Sequence, residues 1–277
     1  MLTNDRQRII DLIKINESRN NFNVDVEDDP DLVKLNPDDV DYLRLKFSSK
    51  IKTKIANILA TNYFEKKIKN KEFEIKQVFG LENFNEIKNQ GVIITCNHFS
   101  PNDNYVVYRE LLKKNTSKQF LYKVIKEGNY TAHKGILGFF FRNCNTLPLS
   151  SNVQTMKKFL KSLEVLLKKG EKVLIYPEQS MWWNYKKPRP FKIGAFNLAV
   201  KFKVPILPVF ITMEDGDKTL SDGSLSQKYT INIGRALYAD ENLSEKDNEK
   251  KIMKENFDFC KKTYEDFYEK ELCYCDN

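Results

Sequence analysis

The stretch GVIITCNHFSPND, from Gly91 to Asp103, decides how the rest of this 277-residue chain is interpreted. A β-branched run follows the turn glycine, which predicts a short buried strand ending near Asn97. Ser100 with the proline after it predicts the start of a helix, because serine is a good N-cap and proline suits the first helical position. His98 is therefore expected just past the end of a buried strand, with Asp103 one tight turn away.

This spacing has two interpretations. A carboxylate beside an imidazole fixes its tautomer and stabilises its charged form, so Asp103 would orient His98 as a general base. The same residues form a capping box, Ser100-x-x-Asp103, which explains the aspartate without any chemistry. The local sequence leaves both interpretations open.

Strand patterns and helix patterns alternate from residue 73 onwards. The predicted strands are Phe73–Phe79, Val92–Ile94, Phe120–Ile125, Lys172–Tyr176, Pro205–Thr212 and Tyr229–Ile233. The predicted helices are Asp103–Lys114, Val153–Lys168, Gly194–Lys203 and Leu243–Leu272. This alternation predicts an α/β fold with a mainly parallel central sheet flanked by helices, preceded by an N-terminal helical arm.

The first 70 residues differ in character from the rest. Residues 1–20 suggest a short amphipathic helix, 23–41 an acidic extended arm, and 40–69 one long lysine-rich helix. A basic amphipathic helix can lie on an anionic bilayer, or it can pack on its own domain with a solvated lysine face. We expect an N-terminal arm and basic helix over 1–70, a catalytic domain over 71–240, and a C-terminal helix over 241–277.

Composition and charge limit the partners, metal sites and cellular location that we expect for this protein. The net charge of +8 and a pI near 9.0 favour anionic partners. Five cysteines without zinc-ligand spacing, Cys273 and Cys275 among them, indicate free thiols in a reducing compartment. With two histidines and no HExxH motif the chain offers few ligand sets for a metal, and we expect neither a metal nor a cofactor. Without a signal-peptide core or an apolar run of about 18 residues, the expected location is cytoplasmic and peripheral to the inner face of the cell membrane.

Two further segments follow predicted strand ends, where ligands of such sheets gather. The first, Pro177 to Ser180, contains Glu178. The second, Met181 to Lys192, combines cations, which suit a phosphate, with aromatic rings, which suit an acyl chain or a membrane interface. The alternative is an exposed surface loop. If the segment Met181 to Lys192 is functional, its candidate residues are Trp182, Trp183, Lys186, Lys187 and Arg189.

At these positions the chain resembles the glycerophospholipid acyltransferases, the family that includes 1-acylglycerol-3-phosphate acyltransferase. NHFSPND fits the family's Asn-His-x4-Asp motif. Gly138 and Arg142 are similar to its second block, Pro177-Glu178 to the start of its third, and residues 204–209 to its fourth. The third block departs from the family, with Gln179, Ser180 and Met181 in place of Gly, Thr and the arginine credited with holding the acceptor's phosphate.

The resemblance implies one-step acyl transfer from acyl-CoA or acyl-carrier protein to a hydroxyl of a lysophospholipid such as 1-acylglycerol-3-phosphate. It assigns catalysis to His98 and Asp103. The residues expected to bind substrate are Asn97, Lys126, Gly138, Arg142, Glu178, Gln179, Ser180, Lys186, Lys187 and Arg189. Lys126 and backbone N–H groups near Ser100 are the candidate oxyanion donors.

Other functions remain open at this point. The same residues would serve a hydrolase of such lipids, with water in place of the acceptor. Met181 also leaves room for a different lipid alcohol as acceptor. A non-catalytic protein that binds anionic lipid would use the basic surface alone. Nucleic acid is not an expected partner, because RNA-binding signatures are absent from the sequence.

Overall fold

A seven-stranded sheet forms the centre of the computed structural model, which describes residues 2–28, 33–114 and 119–274. Cys275, one of the predicted free thiols, lies outside the described residues. The strands are β1 (Phe73–Phe79), β2 (Val92–Thr95), β3 (Leu121–Ile125), β4 (Thr146–Pro148), β5 (Lys172–Ile175), β6 (Ile206–Thr219) and β7 (Leu225–Ile233). Their order across the sheet is β1-β7-β6-β2-β5-β3-β4.

The sheet is mostly parallel, as the sequence predicts. Every neighbouring pair is parallel except β6 and β7, which form an antiparallel hairpin. The hairpin extends β6 to Thr219, well past the predicted end at Thr212. At the solvated end of the hairpin, Glu214, Asp215 and Thr219 pair with β7, and the register shifts between Asp215 and Thr219. The turn itself comes at Gly223, whose φ of +79° suits glycine.

Helices cover both faces of the sheet. They are α1 (Asn4–Ser18), α2 (Phe47–Lys69), α3 (Leu81–Ile87), α4 (Asp103–Tyr108), α5 (Glu127–Thr131), α6 (Gly135–Asn143), α7 (Val153–Lys168), α8 (Gly194–Phe202) and α9 (Glu245–Tyr268). One apolar core contains the inner side chains of α3 and α4, and the other contains those of α7 and α8. Among the described residues, no helix combines the length and the apolar character needed to cross a membrane.

Two predicted helix boundaries were wrong, and a third predicted helix, Asp103–Lys114, has the expected extent but changes type. The basic helix begins at Phe47 and not at Val40, because the Asp41 carboxylate accepts the backbone N–H groups of residues 45 and 46 and holds a loop there. α4 gives way to a π-helical turn at Arg109–Lys113. α9 ends at Tyr268, where the next residue, Glu269, adopts a left-handed conformation with φ +53°.

The N-terminal segment packs on the loop after β5. Ile9 and Ile13 of α1, together with Phe22 and Val26, form a small apolar cluster around Trp182. We call residues 22–28 the arm; this segment consists of turns and bends and not of the extended chain predicted for 23–41. The arm therefore lies over the loop that the sequence marks as functional.

Candidate active site

His98 and Asp103 meet at the carboxyl end of β2, the strand that lies between β5 and β6. The His98 ring nitrogen Nδ1 lies 2.8 Å from Asp103 Oδ2. The Asp103 side chain is wholly buried, whereas 21% of the His98 side chain is exposed. Because Nδ1 faces the carboxylate, Nε2 is the nitrogen left to take a proton from a substrate.

The predicted capping box is only half formed, because the Ser100 hydroxyl accepts the backbone N–H of Asn102, which is the N-cap of α4. The half that forms is made by Asp103. Its Oδ2 also accepts the backbone N–H groups of Phe99 and Ser100, at 3.2 and 3.3 Å. The carboxylate therefore ties down the turn after His98 while it contacts the imidazole. These two N–H groups were among the predicted oxyanion donors, and their contact with Asp103 leaves them poorly placed for that role.

Tyr176, the residue after β5, completes the surroundings of the pair. Its hydroxyl donates to Asp103 Oδ1 over 2.6 Å. Its ring stacks on the His98 imidazole, with centroids 3.9 Å apart and planes inclined by 13°. No sequence pattern indicated this role, since a tyrosine at a strand end is usually a residue of the core or of the rim of a site.

Glu178 supports His98 from the other side. Its Oε2 accepts the backbone N–H of His98 at 3.2 Å, and its Oε1 accepts that of Arg189 at 2.9 Å. The Arg189 guanidinium also lies 3.1 Å from Oε2, and its Nη1 donates to the Ser180 hydroxyl. Arg189 is only 1% exposed. The structure thus gives it an internal task in place of the predicted grip on a substrate phosphate.

The segment Met181–Lys192, which we call the tryptophan loop, is an internal element and not an exposed interface. Trp182 is fully buried against Phe22, with ring centroids 5.6 Å apart, and its indole N–H donates to the carbonyl of Val24. The Ser180 hydroxyl donates to the same carbonyl. Trp182 therefore cannot touch a membrane, contrary to the sequence-based expectation, because the arm covers it.

Gln179, which lies just before this loop, and two lysines within the loop differ in their exposure and contacts. Gln179 is exposed and holds a left-handed backbone with φ +68°. Lys187 is paired with Glu17 at 2.8 Å. The Lys186 ammonium lies 5.8 Å from the ring centroid of Tyr268. Gln179 is thus the member of this group most open to solvent.

The arm brings carboxylates to the same edge of the sheet. Asp25 Oδ1 lies 2.5 Å from the ammonium of Lys126. Glu27 pairs with Arg6 at 3.5 Å; burial raises the pKa of Glu27, while the charges of Arg6 and His98 lower it. Lys126, a predicted oxyanion or substrate donor, is therefore held by an acidic side chain of the arm.

Three predicted substrate-binding residues have structural tasks. Asn97 is buried, and its amide exchanges two hydrogen bonds with the backbone of Ile211, which joins β2 to β6. Arg142 Nη1 donates to the carbonyls of Tyr130 and His133, which ties α5 to α6. Gly138 is required because a Cβ there would lie 2.0 Å from the His133 carbonyl oxygen.

A broad cleft lies elsewhere, at the amino ends of β2, β5 and β6. It has a volume of about 620 Å³, and Gly91, Gly170 and Val204 are among its lining residues. Since ligands of such sheets bind at the carboxyl ends of strands, this cleft is at the wrong edge to serve His98. Within the described residues, no group of His, Cys, Asp and Glu side chains is arranged to hold a metal ion.

Comparison with known proteins shows what the sequence and the fold resemble. Residues 76–212 match the model of the Acyltransferase family. Eight chains of solved structures match the fold. One is the 1-acyl-sn-glycerophosphate (LPA) acyltransferase PlsC from Thermotoga maritima, with a TM-score of 0.50 and 18% identity over 78% of this chain and 84% of that chain. Among curated proteins, no relative was found.

Proposed function

We propose that this chain, whose residues 76–212 match the Acyltransferase family model, moves a fatty acyl group from a thioester donor to a hydroxyl of a lysophospholipid. The observation that carries this proposal is the contact of 2.8 Å between His98 Nδ1 and Asp103 Oδ2 inside the family domain. The donor is acyl-CoA or acyl-carrier protein, and it acts as a co-substrate. The product is a phospholipid, which places the reaction in phospholipid biosynthesis.

The proposed reaction is a direct transfer. Nε2 of His98 removes the proton from the acceptor hydroxyl as its oxygen bonds to the thioester carbonyl carbon. The carbon–sulfur bond then breaks, and the imidazolium returns the proton to the departing thiolate. Asp103 stabilises the imidazolium in the interval. No acyl-enzyme is formed, so no serine or cysteine nucleophile is needed.

The head group of the acceptor is the point on which two candidates differ. A phosphomonoester such as 1-acylglycerol-3-phosphate needs cations, but Met181 supplies none and Arg189 is paired with Glu178. Lys126 is paired with Asp25. These pairings favour a second candidate, a lipid alcohol whose head group carries no phosphomonoester.

Product analysis tests the function and the head group together. The protein is incubated with acyl-CoA and with 1-acylglycerol-3-phosphate, a zwitterionic lysophospholipid or a neutral monoacyl glycolipid, and the lipids are identified by mass spectrometry. Acyl transfer to at least one acceptor, lost in His98→Ala, is the expected result. Release of free fatty acid without an acylated lipid would instead identify a hydrolase. The ranking of kcat/KM among acceptors decides the head group.

The proposal includes peripheral binding to an anionic membrane surface through α2. Its apolar stripe at Phe47, Ile51, Ile55 and Leu59 is exposed, with Phe47 at 79%. The opposite face, with Ala56, is buried. Exposed lysines flank the stripe, at positions 50, 52 and 54. An apolar stripe beside ammonium groups fits the inner face of a cell membrane, where each lysine near the surface adds about 1 kcal/mol.

Flotation with vesicles tests this surface. We expect binding to phosphatidylglycerol vesicles, weaker binding to phosphatidylcholine, and a loss of binding in Ile51→Ser. Ile15→Ser is the matched control, because Ile15 and Ile51 are both 44% exposed but Ile15 lies on α1. Equal losses in the two variants, or binding indifferent to salt and lipid charge, would remove α2 from the proposal.

A further inference from the structure

Tyr176 contacts both members of the His98–Asp103 pair. It follows β5, and the pairing of Thr95 with Ile175 brings the ends of β2 and β5 side by side. The phenol hydroxyl reaches Asp103 Oδ1 at 2.6 Å, and the phenol ring lies 3.9 Å from the imidazole, centroid to centroid. One side chain thus touches the carboxylate at its edge and the imidazole on its face.

The two oxygens of Asp103 are served by different donors. Oδ2 receives His98 Nδ1 and the two backbone N–H groups of the turn, whereas Oδ1 receives the hydroxyl of Tyr176. Burial raises the pKa of Tyr176 well above its usual value, and the charge of Asp103 adds to this effect. The phenol therefore keeps its proton and acts as a donor, not as an acid.

These contacts restrict motions of Asp103 and His98 that would move the general base out of its reactive geometry. A carboxylate held at one oxygen can still turn about its Cβ–Cγ bond, and a bond at Oδ1 opposes that rotation. An imidazole held at Nδ1 can still tilt, and a ring stacked nearly parallel to it opposes the tilt. Catalytic groups must be held in a near-attack geometry to within a fraction of an ångström.

We propose, on the basis of the function proposed above, that Tyr176 is the positioning residue of the His98–Asp103 pair. Its hydroxyl fixes the plane of the Asp103 carboxylate, and its ring fixes the plane of the imidazole, so that Nε2 points at the acceptor hydroxyl. Tyr176 itself exchanges no proton with the substrate.

Two substitutions separate the parts of this role. Tyr176→Phe keeps the ring and removes the hydroxyl, and Tyr176→Leu removes both. We expect Tyr176→Phe to lower kcat about tenfold with KM within about twofold, the size of effect of one hydrogen bond to a charged group. Tyr176→Leu should lower kcat further. Tyr42→Phe is the matched control, because its buried hydroxyl donates to the carbonyl of Pro148 over 2.8 Å.

A spectroscopic readout tests the same contact without turnover. The chain has two histidines, so protein labelled with ¹⁵N-histidine gives only two ring systems, and His133→Gln identifies the signals of His98. We expect a hydrogen-bonded Nδ1 proton of His98 in the wild type and in Tyr42→Phe. In Tyr176→Phe this signal should shift upfield and exchange faster with water.

The outcomes are distinct. An unchanged Nδ1 signal together with unchanged kcat in Tyr176→Phe would overturn the proposal. So would equal losses of kcat in Tyr176→Phe and Tyr42→Phe, since that would indicate a general effect of losing a buried hydrogen bond. If the wild type transfers no acyl group to any lysolipid, the proposed function fails, whereas the response of the Nδ1 signal still supports or refutes the positioning of His98 by Tyr176.

Discussion

Arg189 gives the sharpest test of how this site is built. The sequence suggests that it grips a substrate phosphate, whereas the structure pairs it with Glu178 at 3.1 Å, with side chains 1% and 3% exposed. Arg189→Met keeps most of the apolar stem beside Trp182 and removes the charge. The Glu178 carboxylate is then left buried with only backbone donors, the N–H groups of His98 and residue 189.

The size of the expected loss of stability follows from the burial of the Glu178 carboxylate. Removing one partner of a buried ion pair typically costs about 3–5 kcal/mol, because a charge without its partner stays in the interior. We therefore expect Arg189→Met to lower the free energy of unfolding by about 3 kcal/mol or more. Since Glu178 also holds the backbone of His98, kcat should fall while KM for the acceptor changes little.

Urea unfolding followed by tryptophan fluorescence measures the first effect, and initial rates over a range of acceptor concentrations measure the second. The double variant Glu178→Gln with Arg189→Met should be more stable than Arg189→Met alone, because no buried charge remains. Arg8→Met is the control for an exposed pair, since Arg8 meets Asp28 at the surface, and it should leave stability unchanged. A tenfold rise in KM for a phosphate-bearing acceptor, with unaltered stability, would refute this reasoning and restore Arg189 as a substrate ligand.

Three further predictions concern other parts of the chain. His98→Ala and Asp103→Asn should each abolish acyl transfer, measured by product formation; if Asp103 only caps its turn, Asp103→Asn costs about 1 kcal/mol of stability and leaves turnover intact. Asp25→Asn should lower KM for 1-acylglycerol-3-phosphate by up to about fivefold, because it releases Lys126 from an exposed ion pair worth about 1 kcal/mol at most. It should not change KM for a neutral lysolipid. Asp28→Asn, which removes the same charge from a side chain 84% exposed, should change neither KM. Burial lowers the pKa of Lys172 to about 8, so unfolding takes up a proton between pH 8 and the usual lysine value. Raising the pH from about 8 to 9.5 should therefore increase the free energy of unfolding by about 1 kcal/mol in urea titrations, and a flat profile would contradict this assignment.

The sequence by itself determined the α/β alternation and the placement of His98 and Asp103. Both follow from short-range patterns: the period of apolar residues sets each strand or helix, and His98 and Asp103 are only five positions apart in the chain. Their contact is local, because a strand end followed by a tight turn brings the imidazole back to the carboxylate. Hence the Asn-His-x4-Asp resemblance and the observed pair coincide.

Only the tertiary structure decided what surrounds that pair. Tyr176 lies 73 residues from Asp103 in the chain, and Val24 lies 158 residues from Trp182. Which tyrosine reaches a carboxylate, and which cations meet carboxylates before they meet a substrate, depends on the sheet order and on where the arm packs. Residue type indicates what a side chain can bind, but burial and the nearest opposite charge determine what it does bind. The sequence of a loop contains neither kind of information. The burial of Trp182 in the Met181–Lys192 loop therefore depends on the arm, which packs over it only in the folded chain.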